Sequence, residues 1–275
     1  MTTLIASPAN HPLGVTATTI GGPLRPIRHA IALAGRSLVK TARTPEALID
    51  VTIQPIIFLA MFTYIFGGAL GGGDRTAYLQ YLLPGLLAQS IALAGVSLGT
   101  NLNTDISKGV FDRFRSLPIS RSAPLVGAVL ADVVRYLILF CFLMGFAFLM
   151  GFRVETGVVP LLAALGISMV FALSFCWVSV FVGMLVRTPG AVQGLMFLLV
   201  LPLSFGSNVF VDAATMPGWL QDFVHVNPVT HLVGVVRGLL LGGPVANDLA
   251  WTGGWAAIFL AVFMPLALRT YNRRA

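Results

Sequence analysis

Three constellations in this 275-residue chain hold residue types that could do chemistry. Gly95, Val96, Ser97, Leu98 and Gly99 spell Gly-x-Ser-x-Gly, the spacing that presents a serine nucleophile on a sharp strand-to-helix turn, and His231 could be nominated as its base. Asp132 and Arg135 are the sharpest charges within an apolar run, where an ionisable group is a candidate for handling a substrate or a proton. His225 and His231 are the only closely spaced pair of imidazoles and could be considered as metal ligands.

Each constellation has a plainer reading in its sequence context. The serine lies inside an apolar helical run, and glycines four apart in such a run let two membrane helices approach closely. Asp132 and Arg135 are three residues apart, share a helical face near the cytoplasmic end of their segment, and are expected to neutralise each other as an intramembrane ion pair. The two histidines are six apart across Pro228, off any common helical face, with no cysteine or carboxylate pair beside them, so no metal site is expected. Cys141 and Cys176 both sit in apolar runs and read as packing residues. No catalytic residue is nominated. Nor does the chain contain a Gly-x4-Gly-Lys-Ser/Thr phosphate cradle, so any step driven by ATP must draw on another polypeptide, and no cofactor is expected on this chain.

The elements that carry these residues are membrane helices. Hydrophobic residues make up 57% of the chain and charged residues 10%, with a mean hydropathy of +0.89, which excludes an ordinary soluble domain. Crossing a hydrocarbon core of about 30 Å takes roughly 20 helical residues. Six stretches qualify, near 46–66, 78–102, 124–150, 157–186, 190–210 and 249–268, with Pro55, Pro84, Pro202 and Pro265 inside them. The fold class is thus an all-α membrane protein with six transmembrane helices. Setting both termini in the cytoplasm puts thirteen of the seventeen Lys and Arg residues on the inner side, the arrangement basic residues favour. The net charge of +7 is distributed at these boundaries without an aromatic stacking platform, which points to anionic membrane lipid and not to nucleic acid as the partner.

Residues 1–23 read as a flexible cytoplasmic tail and 24–275 as one membrane domain. Over 24–43, Ile27, Ile31, Ala34 and Leu38 share one helical face while Arg25, Arg28, Arg36, Lys40 and Arg43 take the other, the pattern of an N-terminal helix lying in the interface. Thr44, Pro45 and Glu46 supply a cap, a helix-compatible proline and an acidic first turn for the next helix. Between the second and third spans, charges of alternating sign (Asp105, Lys108, Asp112, Arg113, Arg115, Arg121) accompany Ile106, Val110, Phe111, Phe114 and Leu117 at helical spacing, a short amphipathic helix offered to a partner. The apolar portions of 211–248 are too short to cross, so two short re-entrant helices are expected on the extracellular side, the second started by Pro228 and ended by Gly242 and Gly243. Trp219, Trp251 and Trp255 read as outer-leaflet anchors and Trp177 as a packing residue. Met196, Phe197 and Phe205 could line a passage, face lipid or meet a second copy.

Two blocks of this sequence carry a family resemblance. DISKGVFDRFRSLP, with Gly109, Asp112, Arg113, Ser116 and Pro118, and the more specific MPGWLQDFVHVNPVTHLVGVVRGLLLGG, with Pro217, Trp219, Asn227, Pro228, His231, Arg237, Gly238 and Gly242 in order, together closely resemble the membrane subunits of ABC-2 type exporters, especially the daunorubicin-resistance permease group. The resemblance spans nearly the whole chain. It implies a permease of the bacterial plasma membrane that pairs with a second copy or a paralogue and takes two ATP-hydrolysing subunits from the cytoplasm, with ATP and Mg bound on those partners. The helix at 24–43 would be the family's connecting helix. Asp105, Lys108, Gly109, Phe111, Asp112, Arg113, Phe114, Arg115, Leu117 and Pro118 would form the coupling helix against the ATPase, and Trp219, Asn227, Pro228, His231 and Arg237 the extracellular motif. Asp105 stands where many relatives carry Glu. The implied activity is export of hydrophobic or amphiphilic compounds, antibiotic or lipid-like. An ion-gradient-driven secondary transporter is the alternative, but no convincing repeat relates the first three spans to the last three.

Overall fold

The computed structural model describes residues 45–109 and 123–274, and over these residues the chain is helical with no strand. The tail, the interfacial segment at 24–43 and most of the charged segment after the second span lie outside the described residues.

Helix α1 (Pro45–Met61) runs through one π-helical turn (Phe62–Phe66) into Gly67–Leu70. Helix α2 (Arg75–Ser107) follows, 33 residues and thus roughly 50 Å long. It begins at Asp74, whose carboxylate accepts the backbone N–H groups of Thr76 at 2.8 Å and Ala77 at 3.2 Å. Leu79, Leu82, Leu83, Leu86, Leu87 and Ile91 are fully buried, so α2 is apolar around its circumference and forms the axis of the bundle. Helices α3 (Ala123–Leu149), α4 (Val158–Leu185) and α5 (Pro189–Phe205) pack on it, as does α1. Beyond α5 come a 3₁₀ turn (Ala213–Thr215), then α6 (Gly218–Val226) and α7 (Pro228–Leu241), which meet at 74°. The last helix, α8 (Ala246–Ile258), continues through a π-helical turn (Phe259–Phe263) into Met264–Arg274 and packs on α4 and α7. Pro265 follows that wide turn directly, where its missing N–H and its ring are accommodated by the loosened ladder.

Among the described residues, five helices are long and apolar enough to cross a membrane, or six if the bent α6–α7 pair counts as one. The expected fifth span, 190–210, is shortened: α5 has 17 residues and stops at Phe205. The reason lies 21 and 24 residues downstream, where the Asn227 amide donates to the carbonyls of Gly206 and Leu203, both at 2.7 Å, taking the groups that a further helical turn would have used. The second apolar portion of 211–248 does begin at Pro228 and end at Gly242. Asn227 caps it by accepting the Val229 N–H at 2.9 Å, and Gly242 stops it at φ 86°, a left-handed conformation that favours glycine. Its Val229, Leu232, Val233, Val236 and Leu240 are buried in the main core, so α7 is an interior element. Backbone that is not part of a full span is tolerated at membrane depth when protein surrounds it in this way.

The tightest helix pair is α2 with α4. The Gly99 N–H donates to Ser179 Oγ at 3.0 Å, and a β-carbon on Gly183 would sit 2.6 Å from the Gly99 carbonyl oxygen. Two glycines facing each other thus bring the backbones together, the use expected of Gly99 from its spacing. One turn further on, the Asn103 amide donates to the carbonyls of Gly183 at 2.9 Å and Val186 at 2.7 Å and so caps the end of α4. Gly183→Val should therefore force the two axes apart and cost about 1–3 kcal/mol or more, as overpacking does. Gly166→Val on the same helix, with nothing within 4 Å of the new carbon, should be nearly neutral. Thermal unfolding of the two variants in one detergent checks the contrast, and equal midpoints would refute the close-approach role.

Candidate functional site

The ion pair is buried where α3 meets α2. Arg135 Nη2 donates to Asp132 Oδ2 at 3.0 Å and to the Ala94 carbonyl at 2.8 Å, and both side chains are nearly excluded from the surface. A guanidinium with one carboxylate and one carbonyl has its charge balanced locally, and the second bond ties α3 to the middle of α2. Beside it the Tyr136 hydroxyl lies 2.9 Å from Cys176 Sγ on α4, so one layer of polar contacts links three helices. This arrangement pairs the two charges, while Arg135 Nε is buried without a partner.

Ser97 makes no hydrolase elbow. It sits within the unbroken helix α2 and its hydroxyl donates back to the Ala94 carbonyl at 2.8 Å, a local helical bond. Among the described residues no group of three His, Cys, Asp or Glu side chains could hold a metal ion.

The extracellular-motif residues fall into two separate clusters. Arg237 on α7 donates to the carbonyls of Tyr81 at 3.2 Å and Asn208 at 3.0 Å, with its guanidinium 3.9 Å above the Tyr81 ring. The Tyr81 hydroxyl donates to the same Asn208 carbonyl at 3.0 Å. Arg237 thereby ties α7 to the turn of α2 that precedes Pro84. His231, also on α7, places Nδ1 2.9 Å from Asp248 Oδ1 and Nε2 2.9 Å from the His225 carbonyl, with its ring stacked on Trp251 at 5.0 Å and 4°. Trp255 donates its indole N–H to the Val226 carbonyl at 3.1 Å. Trp251 and Trp255 thus hold the α6–α7 corner to α8, a role beyond the anchoring expected of them, while Trp219 stays exposed. Asp248 had no signal in the sequence, because its partner is reached through the turn of the chain after α7 and not by a fixed spacing.

Trp177 and Cys176 are buried, whereas Cys141 is exposed on α3. Of the expected coupling residues, Asp105 and Lys108 stand at the C-terminal end of α2, and Gly109 turns the chain away at φ 67°. Phe111, Asp112, Arg113, Phe114, Arg115, Leu117 and Pro118 lie outside the described residues, as do Arg25, Arg28, Arg36, Lys40 and Arg43.

Sequence reasoning missed a cleft of about 380 Å³ between α1, α2 and α5. Its walls carry Gln54 from α1, Gln89, Ser90, Ser97, Thr100 and Asn101 from α2, and Gln193 from α5, with Phe58, Leu93 and Phe197 between them. A row of amides and hydroxyls at membrane depth gives no motif, and its spacing on α2 only becomes a surface once α1 and α5 stand beside it.

The described residues form an all-helical, apolar bundle with a polar cleft, the architecture of a multi-pass membrane protein. The chain belongs to the ABC-2 type transporter family, whose model matches residues 28–241. It is 38% identical over 239 residues, covering 87% of this chain and 84% of the relative, to the daunorubicin resistance ABC transporter permease protein DrrB1 of Streptomyces coeruleorubidus. It is also 29% identical over 199 residues, covering 67% of this chain and 66% of the relative, to the doxorubicin resistance ABC transporter permease protein DrrB of Mycobacterium tuberculosis.

The buried ion pair yields a stability test. Asp132→Ala should cost about 3–5 kcal/mol by stranding the Arg135 guanidinium, whereas the double change Asp132→Leu with Arg135→Met should lie close to the parent. Unfolding midpoints of the solubilised variants report it, and a double variant as unstable as the single one would contradict a purely structural pair.

Proposed function

We propose that this chain is the membrane subunit of an ATP-driven exporter of hydrophobic or amphiphilic compounds, in a bacterial plasma membrane. Six spans, counting α5 and the α6–α7 pair in the outer leaflet as a re-entrant hairpin, would place both termini in the cytoplasm, with 1–23 as a tail and 24–275 as the membrane domain. The family match over 28–241 is the observation that carries this reading. It is supported by the names of the relatives, which are drug-resistance permeases, and by the sequence itself, since the chain's two lysines, Lys40 and Lys108, follow Val39 and Ser107 and form no Gly-Lys cradle. Nucleotide chemistry would then belong to two ABC ATPase subunits, docked on the segment from Asp105 to Pro118 and on the basic face at 24–43. A second copy or a paralogue would complete the passage. Closure of the ATPases on ATP would displace the end of α2, and the bundle would shift between inward and outward access by differential contacts in the two states.

The test is co-expression with a candidate ABC ATPase subunit from the same genome. A tagged chain should retain that ATPase through purification and, alone, should turn over no ATP. Replacing Lys108, Arg113 and Arg115 together by alanine should reduce retention at least tenfold while leaving the chain in the membrane. Retention unchanged by those substitutions, or ATP turnover by the pure chain, would overturn the proposal.

A further inference from the structure

The cleft between α1, α2 and α5 holds an unusual polar group. Gln89 is 4% exposed and Ser90 5% exposed, both line the cleft, and neither side chain has a hydrogen-bond partner among the described residues. Other long polar side chains deep in this bundle find backbone carbonyls: Asn103, Asn227, Arg135 and Arg237 each donate to one or two. The Gln89 amide and the Ser90 hydroxyl thus open into the cleft and are not sealed within the protein. Gln54 and Gln193 face the same space from α1 and α5.

We propose that this cleft binds the uncharged, hydrogen-bonding head of an amphiphile, such as a sugar or another polyhydroxyl group, in preference to a cationic head. The proposal rests on the exporter reading and narrows its cargo. Amides and hydroxyls each donate and accept, so they complement hydroxyl groups, which do the same. Among the described residues no Asp, Glu, Lys, Arg or His lines the cleft. An ammonium entering it would lose water with no counter-charge to replace it, whereas a hydroxyl would exchange water for an amide. Phe58 and Phe197 supply apolar walls for the body of the molecule. At about 380 Å³ the space is within the range of small-molecule sites, enough for a head group and part of a tail.

The full chain in phosphatidylglycerol nanodiscs tests this with two photoreactive probes that share one diazirine-bearing octyl tail, one ending in β-glucoside and the other in trimethylammonium. After illumination, mass spectrometry of the α2 peptide containing Gln89 should find the glucoside attached about fivefold more than the ammonium, the ratio that one hydrogen bond of about 1 kcal/mol provides. Gln89→Leu should bring the glucoside down to the ammonium level. Gln89→Glu should instead favour the ammonium probe, an inversion that misfolding cannot produce. Equal labelling by both probes, glucoside labelling indifferent to Gln89→Leu, or loss of labelling when two copies are cross-linked face to face would overturn the proposal, the last by assigning the cleft to a second copy. The readout needs neither ATP nor an ATPase, so its failure leaves the ATPase partnership standing, and failure to retain an ATPase leaves the labelling interpretable.

Discussion

Inside a hydrocarbon layer a backbone carbonyl has no water to turn to, and at several helix ends of this bundle a group from elsewhere in the chain supplies the donor. Asn103 on α2 closes α4, Asn227 closes α5, and Arg237 donates to the α2 turn before Pro84. Thr156, from the loop before α4, donates to the Leu239 carbonyl near the end of α7, and the Glu155 N–H takes the Leu240 carbonyl at 2.9 Å. Trp255 does the same for Val226 at the α6–α7 corner. Each of these bonds joins segments distant in sequence, so local helix termination and assembly of the bundle are one event. Removing such a donor would leave a carbonyl bare in a medium where that is most costly, which is why these residues are polar at depths where leucine would be cheaper to insert.

That coupling marks the limit of what the sequence reveals. Features encoded within a few residues were legible: the apolar runs, the Pro228 start and Gly242 stop of α7, and Asp132 with Arg135 on one helical face. Features encoded across the fold were not. The length of α5 is set by Asn227, more than twenty residues further on, so a hydropathy reading carried the helix through to residue 210. Arg237 reads in sequence as a motif residue of the second short helix with no partner assigned, yet its partners are Tyr81, 156 positions away, and Asn208. His231 was weighed as a metal ligand by spacing to His225, when its ring nitrogens face the Asp248 carboxylate and the backbone of residue 225, and Trp251 covers its face. The cleft escaped for the same reason, since three helices contribute to it and none of them carries a recognisable motif.

The helices differ sharply in how deeply they are held. Along α2 most residues are buried and the contacts to α4 are backbone to backbone, while α1 and α5 expose Ile53, Ile57, Tyr64 and Ile65, and Leu195, Leu198 and Leu201. Those side chains face lipid or another polypeptide without cost, while Val192, Met196 and Val200 on the other face of α5 are fully buried in the core. The charged segment continues directly from the C-terminal end of α2, and on the proposed function a displacement there is carried along a rod of roughly 50 Å whose outer end is gripped by Arg237. The cleft lies between that rod and the two outer helices, with Gln89 on the rod and Gln54 and Gln193 on α1 and α5. A ligand bridging both would be held in one arrangement and released in the other, because moving α1 or α5 by a few ångströms separates amides that must lie within about 3 Å of the same hydroxyl to bind it. Polar groups that open into one cleft from three separate helices are what such an affinity change requires; the Asp132–Arg135 pair, locked to α2 through Ala94, is suited to holding the frame still.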